Sequence, residues 1–357
     1  MEQHSQALKK IKCAIVGYGY MGKIRQSVAE SIDTLELIGI YDADDAIRGQ
    51  IEGARTFSSL KDVLKSEAQI IFVCTPNRYS PEICIQSMQL GKHVFCEKPP
   101  GRNLDDIRDI MKAEKEQDGR AKLMFGFNHR FHPGILKAKA IVDSGRMGQV
   151  VCLRGIYGKS GGVNFQKSWR NDKTISGGGI LLDQGIHMMD LFRYFCGDFE
   201  QVKAFASNNF WKFEMEDNAF VILQNKKKQT AFCHSSATFW KHSFRINIIM
   251  EEGYLIVEGL LSKTGSYGRE KLIIGRRQFE DETHAVGNPS EEVTYFDRDL
   301  SWNLEVEEFI RCVEGNKPVA VSSSEDAYKV MEMIDKAYHD AGLSLWQGKF
   351  NEEHSRF

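Results

Sequence analysis

The first third of the chain alternates short apolar runs with amphipathic stretches, and this alternation constrains the fold more than any other feature. Strands are expected at 12–17, 35–42, 68–75, 92–97 and 122–127, and helices at 21–31, 59–66, 81–90 and 104–117. Strands that alternate with helices pair in parallel, because each helix provides the crossover to the next strand. The pattern therefore predicts an α/β domain with a doubly wound parallel sheet over residues 1–130.

The pattern changes beyond residue 131. Alternating aromatic and β-branched segments occur at 202–207, 218–224, 229–239, 244–250, 254–259 and 292–296, without helical patterns between them. Such a series is typical of an antiparallel sheet. Helices are expected at 133–144, 182–195, 304–313 and 325–341. We therefore expect a second, α+β domain over residues 131–357, with a large and mostly antiparallel sheet.

A glycine-rich loop lies between the first expected strand and the first expected helix. Gly17, Gly19 and Gly22 form the pattern G-x-G-x-x-G, and Asp42 ends the second strand 20 residues after Gly22. Glycine lets the backbone turn tightly and approach a pyrophosphate, which the N-terminus of the following helix then binds. An acidic residue at this spacing accepts hydrogen bonds from an adenosine ribose. The combination predicts a dinucleotide-binding Rossmann domain.

The acidic residues after the second strand indicate which dinucleotide is bound. Asp42, Asp44 and Asp45 would repel a 2′-phosphate, and no arginine directly follows Asp42. Arg48 is the nearby cation that could accommodate NADP. NAD is therefore the expected cofactor, with NADP the less favoured alternative.

Two further segments carry groups suited to catalysis. Lys98, in Glu97–Lys98–Pro99, follows a strand of the parallel sheet at the edge where ligands bind, and a fixed ammonium there can polarise an oxygen. Asp183 and His187 are four residues apart on an expected helix after a run of glycines, which would let the backbone approach a ligand. A neutral histidine can accept an alcohol proton. Each segment alone also fits a solvated lysine, or a helix cap with a core histidine.

Taken together, the Glu97–Lys98–Pro99 segment and the pattern G-G-G-x-L-x-D-x-G-x-H that ends at His187 resemble the Gfo/Idh/MocA oxidoreductase family. The resemblance covers almost the whole chain and implies that Lys98 contacts nicotinamide and the reacting oxygen. It also implies that Asp183 is the family's aspartate and that His187 is the usual proton acceptor. Ser80 stands where the family often has a histidine.

The motifs and the resemblance together imply a complete set of site residues. The expected catalytic residues are Lys98, Asp183 and His187. The expected cofactor-binding residues are Gly17, Gly19, Tyr20, Met21, Gly22, Asp42, Thr75, Pro76, Asn77, Glu97, Lys98 and Arg170. The expected substrate-binding residues are Lys98, Asn128, Trp169, Asp183 and His187, although Trp169 and Arg170 equally fit a structural tryptophan and a surface arginine.

The expected function is NAD-dependent hydride transfer, in either direction, between nicotinamide and a secondary alcohol of a sugar, a nucleotide-linked sugar or a cyclic polyol. Gly265–Ser266–Tyr267–Gly268 weakly resembles members in glycan-building pathways, which favours nucleotide-linked sugars. Two alternatives stay open: a dinucleotide- or sugar-sensing protein without turnover, and an enzyme that retains NAD and uses it transiently in a redox-neutral elimination or glycosidic cleavage.

Composition excludes several other classes of protein. The net charge of −2 argues against nucleic acid as a partner, and no apolar run is long enough to cross a membrane. Eight cysteines without a C-x-x-C pair, together with a polar start, favour a reducing cytoplasm. His129, His132 and His187 have no spacing typical of a metal site, so no metal is expected. The resemblance implies a homodimer or homotetramer formed through the aromatic-rich sheet, although core packing explains those aromatic residues equally well.

Overall fold

The computed structural model describes residues 10–162 and 165–348. The strands are β1 (Ile11–Val16), β2 (Leu35–Tyr41), β3 (Ile70–Val73), β4 (His93–Glu97), β5 (Leu123–Gly126), β6 (Val150–Gly158), β7 (Gln201–Ser207), β8 (Asn218–Gln224), β9 (Thr230–Ser236), β10 (Ser243–Met250), β11 (Gly253–Glu258), β12 (Glu270–Arg276) and β13 (Glu291–Phe296). The helices are α1 (Tyr20–Ser31), α2 (Asp45–Arg48), α3 (Leu60–Lys65), α4 (Ser80–Gln89), α5 (Leu104–Glu116), α6 (Pro133–Asp143), α7 (Lys173–Ser176), α8 (Ile186–Cys196), α9 (Ser301–Glu314) and α10 (Ser324–Asp340).

The first five strands form a parallel sheet in the order β2-β1-β3-β4-β5. Buried apolar side chains cover both of its faces, as a doubly wound sheet requires. Helices α1 and α9 belong to the core on one face, and α4, α5 and α10 belong to the core on the other. The predicted doubly wound α/β fold is confirmed.

The remaining strands form an eight-stranded sheet in the order β13-β12-β11-β10-β6-β9-β8-β7. Its pairs are antiparallel except for β6 and β9, which run parallel. The predicted mostly antiparallel sheet is confirmed, but β12 was absent from the sequence expectation. Its short apolar centre stands between charged residues and interrupts the series of aromatic segments that identified the others.

Helix α9 returns from the far end of the chain to the first sheet. Val306 and Phe309 are fully buried there, and the Phe309 ring packs against Phe95 with 5.7 Å between the ring centroids. The domain boundary at residue 130 stays a prediction, and helices from beyond residue 300 complete the core of the first sheet. Within residues 10–162 and 165–348, no helix combines the length and the apolar character that a membrane crossing needs.

Candidate active site

The glycine loop after β1 has the tight turn that its sequence predicts. Gly17 has a φ of +93°, and a side chain there would place its Cβ 2.7 Å from the backbone of Cys74 on the neighbouring strand. A Cβ on Gly22 would lie 2.2 Å from the carbonyl oxygen of Gly17, so helix α1 packs directly on the turn. Gly19 is the N-cap of α1 and has no side chain to occupy the first N–H groups. These groups can therefore bind an anion.

Asp42 ends β2 beside this loop. Its two carboxylate oxygens accept hydrogen bonds from the backbone N–H groups of Tyr18 at 2.6 Å and Asp44 at 2.9 Å. These bonds fix the carboxylate while each oxygen keeps further lone pairs for a ribose diol. Arg48 donates to the carbonyl oxygen of Asp42 and pairs with Asp45. The guanidinium of Arg48, the cation that could have accommodated NADP, is therefore already bonded to Asp42 and Asp45.

A cleft of about 460 Å³ opens over the glycine loop and has the lining that a dinucleotide needs. Gly17, Gly19, Asp42, Thr75 and Pro76 all line it. The tight glycine turn, the N-terminus of α1 and the carboxylate of Asp42 thus face one cavity. These residues fit NAD.

The side chain of Asn77 points away from this cleft. It is buried and donates from Nδ2 to the carbonyl oxygen of Ser176 at 2.6 Å, which ties the loop after β3 to the second domain. Ser80, at the position where the resembled family often has histidine, is also buried and lies 3.1 Å from the Thr75 hydroxyl. Both residues therefore hold the cleft wall, and cofactor contact by Asn77 stays a prediction.

Lys98 lies just beyond the end of β4, with 14% of its side chain exposed. Its Nζ donates to the backbone carbonyl of Asp183 at 2.7 Å and lies 3.8 Å from that residue's Oδ1. Burial, together with the neighbouring cations Arg170 and Lys159, lowers the pKa of Lys98 to about 8, although Asp183 opposes the shift. The ammonium form is therefore predominant at neutral pH, and the proton is easily released.

The carboxylate of Asp183 accepts hydrogen bonds from several side chains. Its Oδ1 accepts from Arg170 at 3.1 Å, and its Oδ2 accepts from Lys159 at 3.2 Å and from the Gln184 amide at 3.0 Å. Although burial acts in the opposite direction, the cations Lys159, Arg170 and Lys98 hold the pKa of Asp183 well below its ordinary value. An ionised Asp183 thus holds three cationic side chains together.

His187 is buried on the first turn of α8, and its ring stacks on that of His129 with 3.7 Å between centroids and 18° between planes. Burial, together with the charges of His129 and Lys98, lowers the pKa of His187 well below its ordinary value. The imidazole is therefore neutral at neutral pH and can accept a proton. Within the described part of the chain, its Nδ1 has no hydrogen-bond partner.

Polar side chains near His187 form a hydrogen-bonded group, and the sequence analysis identified only some of its members. His129 Nδ1 lies 3.0 Å from the Asn128 amide oxygen, and His129 Nε2 lies 3.2 Å from the Tyr157 hydroxyl. His132 Nδ1 in turn lies 2.8 Å from the buried carboxylate of Glu270. Asn128 was predicted as a substrate contact, whereas Tyr157 comes from β6 and no motif marked it. Asn128 and Tyr157 both line the cavity described below.

The glycine run at 177–179 packs on protein atoms, which differs from the expectation that it would approach a ligand. Added Cβ atoms at these three positions would meet Arg102, the Tyr338 hydroxyl and Glu216 at 2.4–2.5 Å or closer. Glu216 also accepts from the backbone N–H of Leu181 at 2.8 Å. Larger residues would not fit at these positions, because the backbone of Arg102, the Tyr338 hydroxyl, and the backbone and carboxylate of Glu216 pack against the glycines.

The segment that carries Asp183 begins as a π-helical turn, Leu181–Gly185, and continues as α8. Sequence spacing predicted one continuous α-helix with Asp183 and His187 a turn apart. The wider turn changes that register, and such turns are frequent at functional sites. Asp183 consequently lies behind the cations Lys98, Lys159 and Arg170, whereas His187 lines the open cavity.

A second cavity of about 420 Å³ adjoins the cofactor cleft. Lys98 and His187 line this cavity, and Tyr20, Met21 and Arg170 line both spaces. Trp169 lines the cofactor cleft rather than the second cavity. Lys159 and Tyr267 also line the second cavity; Lys159 was not identified from sequence, and Tyr267 was named there only within the Gly265–Gly268 resemblance.

Glu97 lines the same cavity, but its carboxylate is committed to the protein interior. It accepts from Arg25 Nε at 2.7 Å, and Arg25 also binds Glu305 of α9 at 2.7 Å. Cofactor contact by Glu97 stays a prediction. Among the residues that the structure describes, no group of three or more histidine, cysteine or acidic side chains could hold a metal ion.

Two models of one family match consecutive parts of the chain. "Oxidoreductase family, NAD-binding Rossmann fold" matches residues 11–127, and "GFO/IDH/MocA C-terminal domain" matches residues 135–256. The first match confirms the predicted NAD-binding Rossmann domain.

Individual proteins with similar sequences are dehydrogenases by name. D-glucoside 3-dehydrogenase of Escherichia coli is 25% identical over 93% of this chain and 95% of its own length. Myo-inositol 2-dehydrogenase of Thermotoga maritima is 26% identical over 88% and 92%, respectively. Levoglucosan dehydrogenase of Pseudarthrobacter phenanthrenivorans is 28% identical, but the match spans only 56% of this chain and 55% of that enzyme.

A solved structure of a levoglucosan dehydrogenase with NADH and levoglucosan has the same fold. Its TM-score is 0.82 at 19% identity, over 95% of this chain and 100% of that one. The matched models, the relatives and the shared fold agree with an N-terminal Rossmann domain that binds NAD. The chain belongs to the Gfo/Idh/MocA family of oxidoreductases.

Proposed function

We propose that this protein is an NAD-dependent dehydrogenase that oxidises a secondary alcohol of a sugar, a nucleotide-linked sugar or a cyclic polyol. One observation carries the proposal: Lys98 and the neutral His187 line a cavity that shares its wall with the dinucleotide cleft. A proton acceptor and an oxygen-binding cation thus border the space next to the cofactor cleft. The named relatives that act on glucosides and inositols support the same substrate class.

The cofactor is held by the glycine loop, by Asp42 at the ribose and by Thr75 and Pro76 at the cleft wall. When bound, NAD supplies a nicotinamide ring that accepts a hydride from the carbon that bears the alcohol. The chain's own part is to bind the alcohol oxygen and to remove its proton. The reverse reduction uses the same groups.

His187 is the proton acceptor because it lines the cavity together with Lys98 and its imidazole is uncharged at neutral pH. Lys98 binds the alcohol oxygen and stabilises the negative charge that develops as the proton leaves. Asp183 holds Lys98 in place, because it accepts a hydrogen bond from Lys98 through its backbone carbonyl and places its carboxylate 3.8 Å from the ammonium. Asp183 is therefore a positioning residue in this proposal, and direct substrate contact is left to Lys98, His187 and Asn128.

The test is absorbance of reduced nicotinamide during incubation with NAD or NADP and a panel of cyclitols, free sugars and nucleotide sugars. We expect NADH to accumulate with one substrate class. Silence with every substrate, while NAD still binds, would favour a sensor. A redox-neutral change of the substrate without net NADH would favour the enzyme that retains its cofactor.

We also propose that the outer face of the eight-stranded sheet forms a homodimer or homotetramer interface. Side chains on this face are unusually apolar and exposed, among them Phe205, Phe220, Ile222 and Val151. Such a patch is typical of an interface in a protein of this size. Size-exclusion chromatography with light scattering would give the mass in solution, and a monomer would contradict the proposal. A cytoplasmic location stays a prediction from the sequence.

A further inference from the structure

The cavity next to the cofactor cleft has more positive charge than the proposed hydride chemistry uses. Lys98, Lys159, Arg170 and Lys263 all line it, and the acidic residue among its described lining, Glu97, is bonded to Arg25. Asp183 compensates three of these cations from behind, at 3.8 Å from Lys98, 3.2 Å from Lys159 and 3.1 Å from Arg170. One carboxylate thus faces three cations, and Lys263 adds a fourth at the rim.

Two of these cations have no part in binding the cofactor or the reacting oxygen. Lys98 is assigned to the alcohol oxygen, and Arg170 borders the cofactor cleft as well as the cavity. Lys159 and Lys263 line only the cavity on the substrate side. The two lysines differ in their exposure: Lys159 is partly buried, whereas Lys263 is exposed.

The side chains around these two lysines form one polar end of the cavity. The rings of His242 and Tyr267 contact each other with 4.8 Å between centroids, and Tyr267 lies four residues after Lys263. His242 Nδ1 also lies 3.2 Å from the hydroxyl of Ser160, the residue directly after Lys159. Ser262 and Tyr267 add hydroxyl groups to the same lining. This end therefore offers two ammonium groups and two hydroxyl donors.

We propose that the substrate carries an oxyanion, either a phosphate or a carboxylate, which binds to Lys159 and Lys263 at this end of the cavity. A neutral sugar would leave the surplus charge uncompensated, whereas an oxyanion makes charge-assisted hydrogen bonds with both lysines. The proposal rests on the dehydrogenase function above and narrows its substrate to acidic or phosphorylated sugars and polyols.

The experiment compares three ligands on one hexose scaffold: glucose, glucuronate and glucose 6-phosphate. Their dissociation constants are measured by calorimetry with the full-length protein saturated with NADH, and kcat/KM is measured separately with NAD. We expect at least one of the two anions to bind about ten- to hundredfold more tightly than glucose, as for a hydrogen bond to a charged group. The preferred anion then tells a phosphate site from a carboxylate site.

Two variants and a control assign the effect to the lysines. Lys263→Met and Lys159→Met should each reduce the preference for the anion over glucose by about tenfold. Lys241→Met is the matched control, because Lys241 is an exposed lysine beside His242 that does not line the cavity, and it should leave the preference unchanged.

Three results would overturn the inference: glucose binding as tightly as both anions, an anion preference that survives Lys263→Met and Lys159→Met, or no binding of any of the three ligands. The proposed dehydrogenase function fails in a different way. If the anion binds with the expected dependence on the two lysines but no ligand in the wider panel yields NADH, the oxyanion site stands and the dehydrogenase activity does not.

Discussion

Replacing Gly22 or Gly19 of the first loop by alanine should have two different effects: the first should lower stability, and the second should weaken cofactor binding. Gly22→Ala places a Cβ 2.2 Å from the carbonyl oxygen of Gly17. An ordinary contact between carbon and oxygen is about 3.3 Å or longer, so the loop and α1 must move apart by about 1 Å. Because the clash involves backbone and not a flexible side chain, we expect a loss of about 1–3 kcal/mol of unfolding free energy.

Gly19→Ala should have the opposite profile. A Cβ on Gly19 meets no atom within 4 Å, and its φ of −72° and ψ of −158° are accessible to alanine. The free energy of unfolding should therefore stay within about 1 kcal/mol of the unchanged protein. The added methyl group would instead lie where the backbone approaches the pyrophosphate, so the affinity for NADH should fall by about tenfold or more.

The assay pairs urea unfolding, followed by tryptophan fluorescence, with a fluorescence titration of NADH for each variant. The reasoning predicts that Gly22→Ala is unstable and that Gly19→Ala is stable but binds poorly. It would be refuted if Gly19→Ala lost as much stability as Gly22→Ala, or if Gly19→Ala bound NADH as tightly as the unchanged protein.

Three further predictions concern charged groups. Asp42→Ala should weaken NADH binding by about tenfold and reduce discrimination against NADPH, because a charged acceptor at the ribose is lost. Fluorescence titrations with NADH and NADPH measure this, and an unchanged preference for NADH would contradict the assignment of Asp42 to the ribose. Because the pKa of Lys98 is about 8, kcat/KM for alcohol oxidation should fall as the pH rises through about 8, and Lys98→Ala should lose both this pH dependence and most of the turnover. Burial raises the pKa of Glu305 above its ordinary value of 4.5, although Arg25 opposes the shift, so the folded chain releases this proton at a higher pH than the unfolded chain does and the free energy of unfolding should fall as the pH rises above 4.5. Glu305→Gln should make that slope shallower in urea unfolding at several pH values, and an unchanged slope would contradict the assignment.

Local signals predicted the parts of the site that lie within short segments. The strand, loop and helix around Gly17 form one short continuous unit, so the spacing of its glycines predicted the dinucleotide loop. The spacing of Asp183 and His187 marked them only as candidates, and the family resemblance supplied their roles. Lys98 was identified because its strand ends at the binding edge of a parallel sheet.

Residues that reach the site from distant strands left no comparable signal. Tyr157 lies near the end of β6 and Lys159 directly after it, where the sequence has no motif, and the Gly265–Gly268 resemblance gave Tyr267 no place in the site. Nor could the sequence show that the glycine run at 177–179 packs on Arg102, Glu216 and Tyr338, because these residues lie far from it in the chain. Long-range packing determines such features, and the periodicity of one segment cannot report it.

The return of α9 to the first sheet has a consequence for synthesis of the chain. The fifth strand of that sheet ends at Gly126, but the face that holds Phe95 is covered only when α9 arrives, as far along as Glu314. Arg25 likewise lacks one of its two carboxylate partners until Glu305 has been made. Until α9 has been synthesised, a nascent chain therefore exposes part of the aromatic surface around Phe95 and a half-paired arginine, and surfaces of this kind are prone to aggregation. The first sheet thus reaches its final packing only after residues far beyond its own five strands have been made.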